Sequence, residues 1–226
     1  YQTSPVTVGI PAVYAKKIFK APIYFWVQDL WPESLKAAGG IKNVFVLGFF
    51  NSLTKWFYKH SRKVLIQSNG FREYIQNQGV PSNKIIFYPN PTEGFYKPLK
   101  KVKEYQEFFQ NRFFNIVFAG NIGEAQSFKT IIDAINNIKE LPIRVTVLGD
   151  GRYKETALSL IKEKGLESRF NFIGSYPPTE MPKFFSHSDA LLVSLKKSKI
   201  FSLTIPAKIQ SYLACGKPII ASIDGS

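Results

Sequence analysis

Lys208 lies in TIPAKIQSYLACGKPIIAS, residues 204–222. There Thr204 can cap a helix with Pro206 in its first turn, Gly216 can end it, and Pro218 leads into the apolar run 219–221. The first turn of a helix favours an acid, so a lysine there points to an anion nearby, of which a phosphate is the simplest. A solvated surface lysine has the same sequence signature. Gly120-Asn121-Ile122-Gly123 follows the apolar run 115–119 and precedes a helical stripe through Ile131, Ile132, Ala134 and Ile138. Strand, glycine turn and helix in that order aim backbone N–H groups at a phosphate, although tight turns use glycine without any ligand. Gly149-Asp150-Gly151 closes the run 144–148 in the same way. Asp29 and Glu33 follow the apolar run 23–27 within QDLWPES and are candidate site acids, because ligand groups gather beyond the carboxyl ends of strands. Either also suits the N-cap or first turn of a short helix through Ala38.

The elements that would carry these residues alternate. Before residue 97, helical patterns over 5–19 and 71–78 and an amphipathic stretch over 44–63 are interleaved with apolar runs at 23–27, 64–67 and 85–88. After residue 112, runs at 115–119, 144–148, 170–173 and 190–194 are each followed by a helical pattern or by a stretch leading into one. This alternation predicts parallel sheets with right-handed crossovers, in two α/β units. The Pro-rich run up to Pro98 and the charged stretch 99–112 have linker character. The expected domains are therefore 1–97 and 113–226, with a linker at 98–112.

Thirty Lys+Arg against 16 Asp+Glu give a net charge of +14, and residues 1–112 hold 16 of the bases but only 6 of the acids. That imbalance attracts polyanions: nucleic acid, an anionic bilayer or phosphorylated lipid. Within 44–63, Phe45, Phe49, Phe50, Trp56 and Phe57 adjoin Lys55, Lys59, Arg62 and Lys63. Such a segment can lie in a bilayer interface, or can be a core helix with a solvated basic end. His60 falls in that basic end and is expected to be exposed. No apolar run approaches the ~20 residues of a membrane span. The single cysteine, Cys215, excludes an internal disulfide framework and suits a reducing compartment, so the cytoplasm is expected. The YQTSP opening without Met and the SIDGS ending suggest a chain cut at both ends.

The ordered set FAGNIGEAQSF, VLGDG, FIGSYPPTEMPKFF, SDALLVSL and IPAKIQSYLACGKPIIAS, with DLWPES and FYPNPTE upstream, resembles glycosyltransferase family 4. It is similar to the branch that adds amino sugars such as fucosamine in bacterial surface polysaccharide assembly. The resemblance covers nearly the whole chain and implies the GT-B fold, two Rossmann-like domains on either side of a nucleotide-sugar cleft. Residues 1–97 would be the latter part of the acceptor domain and 113–226 the first part of the donor domain.

On that resemblance Gly120 and Gly123 match the glycine turn under the donor diphosphate, Gly149 and Gly151 a turn near the nucleoside, and Ile173 with Gly174 the strand end beside the base. Lys208 matches the lysine of the branch's PSK-like segment. The family's diphosphate-binding arginine and lysine fall on Asn121 and Gln126, which moves the phosphate charge to Lys208 with Lys196, Lys197 or Lys199 as candidates. The family's paired glutamates fall on Leu203 and Ser211, and neither can serve ribose hydroxyls as a carboxylate would. The family histidine falls on Gln28, leaving Asp29 as the ionisable group in that turn, so Asp29 and Lys208 are the candidate catalytic residues. The implied reaction is a retaining, metal-independent transfer from a nucleotide sugar, UDP-linked as first choice, to a lipid-linked acceptor. It would take place at the inner face of the plasma membrane, with no cofactor besides the co-substrate and no nucleic acid. A nucleotide-sugar epimerase and a non-catalytic membrane- or nucleic-acid-binding module are the alternatives; no RNA or DNA motif accompanies the charge.

Overall fold

The computed structural model describes residues 5–37 and 43–225, in two compact units. The first comprises Tyr1–Asn90, Lys197–Ile205 and Asp224–Ser226; the second comprises Pro91–Lys196 and Pro206–Ile223.

In the first unit, α1 (Gly9–Phe19), β1 (Tyr24–Val27), α2 (Glu33–Ala37), α3 (Val44–His60), β2 (Lys63–Ile66), α4 (Phe71–Asn77) and β3 (Ile85–Phe87) follow one another. The expected end of α2 at Ala38 lies outside the described residues. The strands form a parallel sheet in the order β1-β2-β3, with Phe25 opposite Val64 and Val64 opposite Ile85. Phe25, Val27, Val64 and Ile66 are fully buried between Phe57 and Tyr58 of α3 and Phe71 and Ile75 of α4. Ile200 and Leu203, from the returning segment 197–205, pack on the same core.

α3 buries one side in the core and exposes the other. Asn43 caps it, its side chain accepting from the N–H groups of Phe45 and Val46, and the last turns bury Thr54, Phe57 and Tyr58. Phe45, Phe49, Ser52, Lys55 and Lys59, spaced three or four apart, lie exposed on the other side. This stripe is aromatic at its start (Phe45 89% and Phe49 62% exposed) and basic at its end. At 1.5 Å per residue the two ends lie about 20 Å apart. Among the described residues no helix is long and apolar enough to cross a membrane.

The second unit contains β4 (Phe114–Ala119), α5 (Phe128–Asn137), β5 (Ile143–Leu148), α6 (Lys154–Glu163), β6 (Phe170–Gly174), α7 (Met181–His187), β7 (Ala190–Ser194), α8 (Lys208–Ala214) and β8 (Ile219–Ser222). Its strands are all parallel, in the order β6-β5-β4-β7-β8. Parallel strands under helices on both faces need apolar side chains on both sides, and every residue of β7, ALLVS, is buried. α5 shows the complementary helical pattern: Phe128, Ile131, Ile132 and Ile135 are buried, each contributing about 1.5–3 kcal/mol. Its outer face carries Asp133, paired with Lys129 and Lys164.

The stretch expected as a linker is bound to the second unit. Tyr96, Tyr105, Phe108 and Phe109 pack against the cluster of Val117, Phe184, Phe185 and Leu191. Tyr105 stacks on Phe184 at 4.0 Å and donates its hydroxyl to Glu180 Oε2 at 2.7 Å. Phe109 stacks on His187, whose ring nitrogen meets the Glu104 carbonyl at 3.1 Å. The division between the units accordingly falls at Asn90/Pro91 rather than within 98–112.

Candidate functional site

In the second unit the turns beyond β4, β5 and β6 and the start of α8 border one cavity of about 560 Å³. The turns are laced to one another by backbone hydrogen bonds. Gly149 N–H donates to Gly174 C=O, Gly120 N–H to Leu148 C=O and Ile122 N–H to Asp150 C=O, each at 2.8 Å, and Tyr153 N–H donates to Ile122 C=O at 3.0 Å. The amides of Gly120 and Gly149 are therefore engaged by neighbouring loops rather than offered to a phosphate.

The glycines serve approach instead. Gly149 has φ +134°, and a Cβ placed on it would sit 2.0 Å from the Gly120 carbonyl oxygen. Gly120, at φ +137°, faces the Lys208 ammonium, 3.1 Å from where its Cβ would be. Gly123 and Gly151 pack on the Asn121 side chain rather than lining the cavity. Gln126 Oε1 is buried beside Gly123 with no hydrogen-bond partner among the described residues. Ile173 belongs to the packed core, and Gly174 contributes its carbonyl to the lacing.

Lys208 is the first residue of α8. The helix starts later than the sequence suggests: Ala207 occupies the N-cap, and the Thr204 hydroxyl donates back to Ile200 C=O at 3.2 Å. Lys208, Ser211, Tyr212 and Cys215 form the inner stripe of α8, and Tyr212 and Cys215 are buried. The Tyr212 hydroxyl accepts from Ala119 N–H at 3.1 Å and donates to Ala119 C=O at 3.3 Å. One helical turn separates Tyr212 from Lys208, so this clamp also sets the lysine against the β4 turn.

The Lys208 ammonium is buried with no hydrogen-bond partner among the described residues. It lies 4.2 Å from the centroid of the Phe118 ring, a cation–π contact of about 2 kcal/mol in a desolvated setting. Burial lowers its pKa from 10.5 to about 8, a cost of roughly 3 kcal/mol to the charged form. A buried cation without a partner on a cavity wall favours an anion beside it.

Gly120, Asn121, Gly149, Lys208 and Ser211 line the cavity together. Tyr96, Asp150, Tyr176, Phe185 and Glu93 join them, and sequence reasoning had assigned no site role to any of these. Glu93 stands in the quoted FYPNPTE motif, and that motif was its only sequence signal. The Ser211 hydroxyl meets Thr92 Oγ1 at 3.0 Å. Asp150 accepts from Gly151 N–H at 2.8 Å, which with nearby Lys154 holds its carboxyl below the usual range. Lys196 donates its N–H to Ala125 C=O at 2.7 Å and does not line the cavity, and Lys197, Lys199 and Leu203 belong to the first unit. Asp29 also lies in the first unit, after β1, as does Glu33, which opens α2 and accepts a hydrogen bond from the Tyr74 hydroxyl.

Residues 114–225 match the family model described as glycosyl transferases group 1. Among curated proteins, the probable glycosyltransferase WbjE of Pseudomonas aeruginosa is 24% identical over 212 residues, which cover 88% of this chain and 50% of WbjE. The UDP-N-acetylglucosamine–N-acetylmuramyl-(pentapeptide) pyrophosphoryl-undecaprenol N-acetylglucosamine transferase of Bacillus pumilus is 24% identical over 196 residues, 86% of this chain and 47% of that protein. The chain spans about half the length of these curated relatives. Among solved structures, Anabaena HepE in complex with UDP and glucose superposes with a TM-score of 0.76 at 18% identity, over 96% of this chain and 57% of HepE. Parallel sheets, interleaved helices and these likenesses make the fold GT-B, and the match to the glycosyl transferases group 1 model lies within its second unit and the segments 197–205 and 224–225.

Proposed function

We propose that this chain is part of a retaining glycosyltransferase that moves a sugar, an amino sugar in the first instance, from a UDP-linked donor to a lipid-linked acceptor in surface polysaccharide assembly. One observation carries the reading: the unpartnered Lys208 ammonium on the wall of a cavity at the carboxyl end of a parallel sheet. The UDP in the HepE complex and the UDP-sugar donor and pyrophosphoryl-undecaprenol acceptor in the name of the Bacillus enzyme support it.

In the proposed reaction the bond between the anomeric carbon and the diphosphate oxygen breaks. The acceptor hydroxyl oxygen bonds that carbon on the same face, and its proton passes to the departing diphosphate. The charge that grows on the diphosphate falls beside Lys208, which needs no metal to meet it. The Tyr212 clamp holds the ammonium in place before the charge develops, as electrostatic preorganisation requires. Asp29 is proposed as the ionisable group of the acceptor side.

Calorimetric titration with UDP tests the donor reading. Binding a diphosphate restores the proton that burial disfavours on Lys208. Affinity should therefore be level between about pH 7 and 8 and fall toward tenfold per pH unit above about 8. The nucleotide's terminal phosphate has its own pKa near 6, outside this window. Burial holds Tyr96 and Tyr212 above the ordinary phenol range, and Asp150 is held below the carboxylate range, so none of them titrates there. Near pH 8 the heat should depend on the buffer's ionisation enthalpy, reporting uptake of about half a proton. No UDP binding, or binding with no proton uptake, would reject the reading.

We further propose an anionic membrane surface as a partner, at the inner face of the plasma membrane. The segregated stripe of α3 supports it: Phe45 and Phe49 would enter the interface while Lys55 and Lys59 meet headgroups. Phe45→Ser with Phe49→Ser should cut sedimentation with phosphatidylglycerol vesicles about tenfold or more and leave UDP affinity unchanged. Equal sedimentation of the variant and the parent protein rejects this role.

A further inference from the structure

A carboxylate on the wall of a cavity that attracts anions requires a reason of its own, and the two acids there differ. Asp150 is engaged by the Gly151 amide and Lys154. Glu93 lines the cavity with its carboxylate in no hydrogen bond or ion pair among the described residues; only its backbone carbonyl is used, by Tyr96 N–H at 3.0 Å. Around it stand hydroxyl groups. Thr92, the preceding residue, meets Ser211, which lies one turn of α8 from Lys208, and Tyr96 lines the same cavity. The residues lining the cavity therefore include a cation, hydroxyls and an exposed glutamate whose carboxylate only accepts hydrogen bonds.

A group that only accepts hydrogen bonds, set beside a phosphate-attracting cation, is complementary to hydroxyl donors placed a few ångströms from a phosphate. A nucleotide sugar carries such vicinal diols on both sides of its diphosphate. We infer that the Glu93 carboxylate binds a vicinal diol of the nucleotide sugar, supplying from the 91–96 segment the acid that Ser211 does not. This inference rests on the donor reading proposed above. Thr92 and Ser211 would hold the wall in register, and Tyr96 would border the diol from its other side.

Calorimetric titration of the protein and of its Glu93→Gln variant with UDP, 2′-deoxy-UDP, UDP-glucose and inorganic pyrophosphate tests it. The variant keeps the shape of the side chain and removes its charge, so one charge-assisted pair of hydrogen bonds should be lost, about tenfold or more in affinity. If the diol is that of the ribose, the parent protein prefers UDP over 2′-deoxy-UDP and the variant loses that preference. If it is that of the sugar, Glu93→Gln weakens UDP-glucose and spares UDP. Pyrophosphate binding should be equal in both proteins, because it touches only the Lys208 end. Unchanged affinity of the variant for both UDP and UDP-glucose overturns the role of Glu93 while leaving the donor site intact. Failure of the parent protein to bind either UDP or pyrophosphate overturns the donor reading and this inference with it.

Discussion

Lys208→Met should raise the stability of the unliganded protein and remove most of its affinity for UDP. The two effects have opposite signs because one atom causes both. The ammonium is buried without a partner, and burial has already lowered its pKa to about 8. A group whose folded pKa is depressed in this way weighs against folding while it is charged. The penalty is complete below about pH 8 and is relieved as pH rises toward 10.5. Methionine fills the same space without charge, and replacing buried charges with apolar groups of similar volume gains about 1–4 kcal/mol. The lost contact with Phe118 takes back part of that, leaving a gain on the order of 1–2 kcal/mol at pH 7. Urea denaturation at pH 7 and pH 10 measures it, and the advantage should shrink at the higher pH. With UDP present the order reverses: affinity falls on the order of a hundredfold, and turnover by at least as much, because the missing charge faces the diphosphate most strongly as it departs. A variant that is less stable without ligand, or that binds UDP like the parent, removes Lys208 from the site.

Gly149→Ala should be the most damaging small substitution in the second unit. Its Cβ would lie 2.0 Å from the Gly120 carbonyl oxygen and 2.9 Å from that carbonyl carbon, at a φ of +134° that a side chain rarely adopts. Neither neighbour can yield cheaply. Gly120 is fixed by its N–H to Leu148 C=O and Gly149 by its N–H to Gly174 C=O, so moving one loop breaks the bonds of another. A loss of roughly 4 kcal/mol or more is expected, combining backbone strain with a clash that has no flexible side chain to absorb it. Gly165→Ala is the internal control: φ there is +64° and no atom lies within 4 Å of the added carbon, so about 1–2 kcal/mol should be lost. Thermal denaturation of the two variants separates strain from clash. Similar small losses would mean that the lacing of the three turns is soft.

The apolar runs marked β4, β5 and β7 plainly in the sequence, because strands buried on both faces cannot hide their composition. Lys208 stood out in the sequence from its place at a helix start, and the structure sets its ammonium, without a hydrogen-bond partner among the described residues, on a cavity wall. The bond between that lysine and its setting was not legible, since Phe118 and Gly120 lie some 90 residues earlier and only the fold brings them under the ammonium. The glycine turns were legible as turns, but a sequence does not show whether their amides face a ligand or another loop, and those of Gly120 and Gly149 face other loops. Residues 98–112 misled for a different reason. Lys100, Lys101, Lys103, Glu104 and Glu107 gave the stretch the composition of a tether, while Tyr105, Phe108 and Phe109 beside them are what bind it to α7. Glu93 was hidden in the same manner, in a proline-bearing turn whose Thr92 meets Ser211, 119 residues away.

The segment 197–205 leaves the second unit, lays Ile200 and Leu203 on the core of the first, and returns at Pro206. A gene fragment stopped at Asn90 would therefore lack two side chains that pack on its core. On the ribosome those two side chains emerge more than a hundred residues after Asn90, so the packing of the first unit is completed only after most of the second has been made.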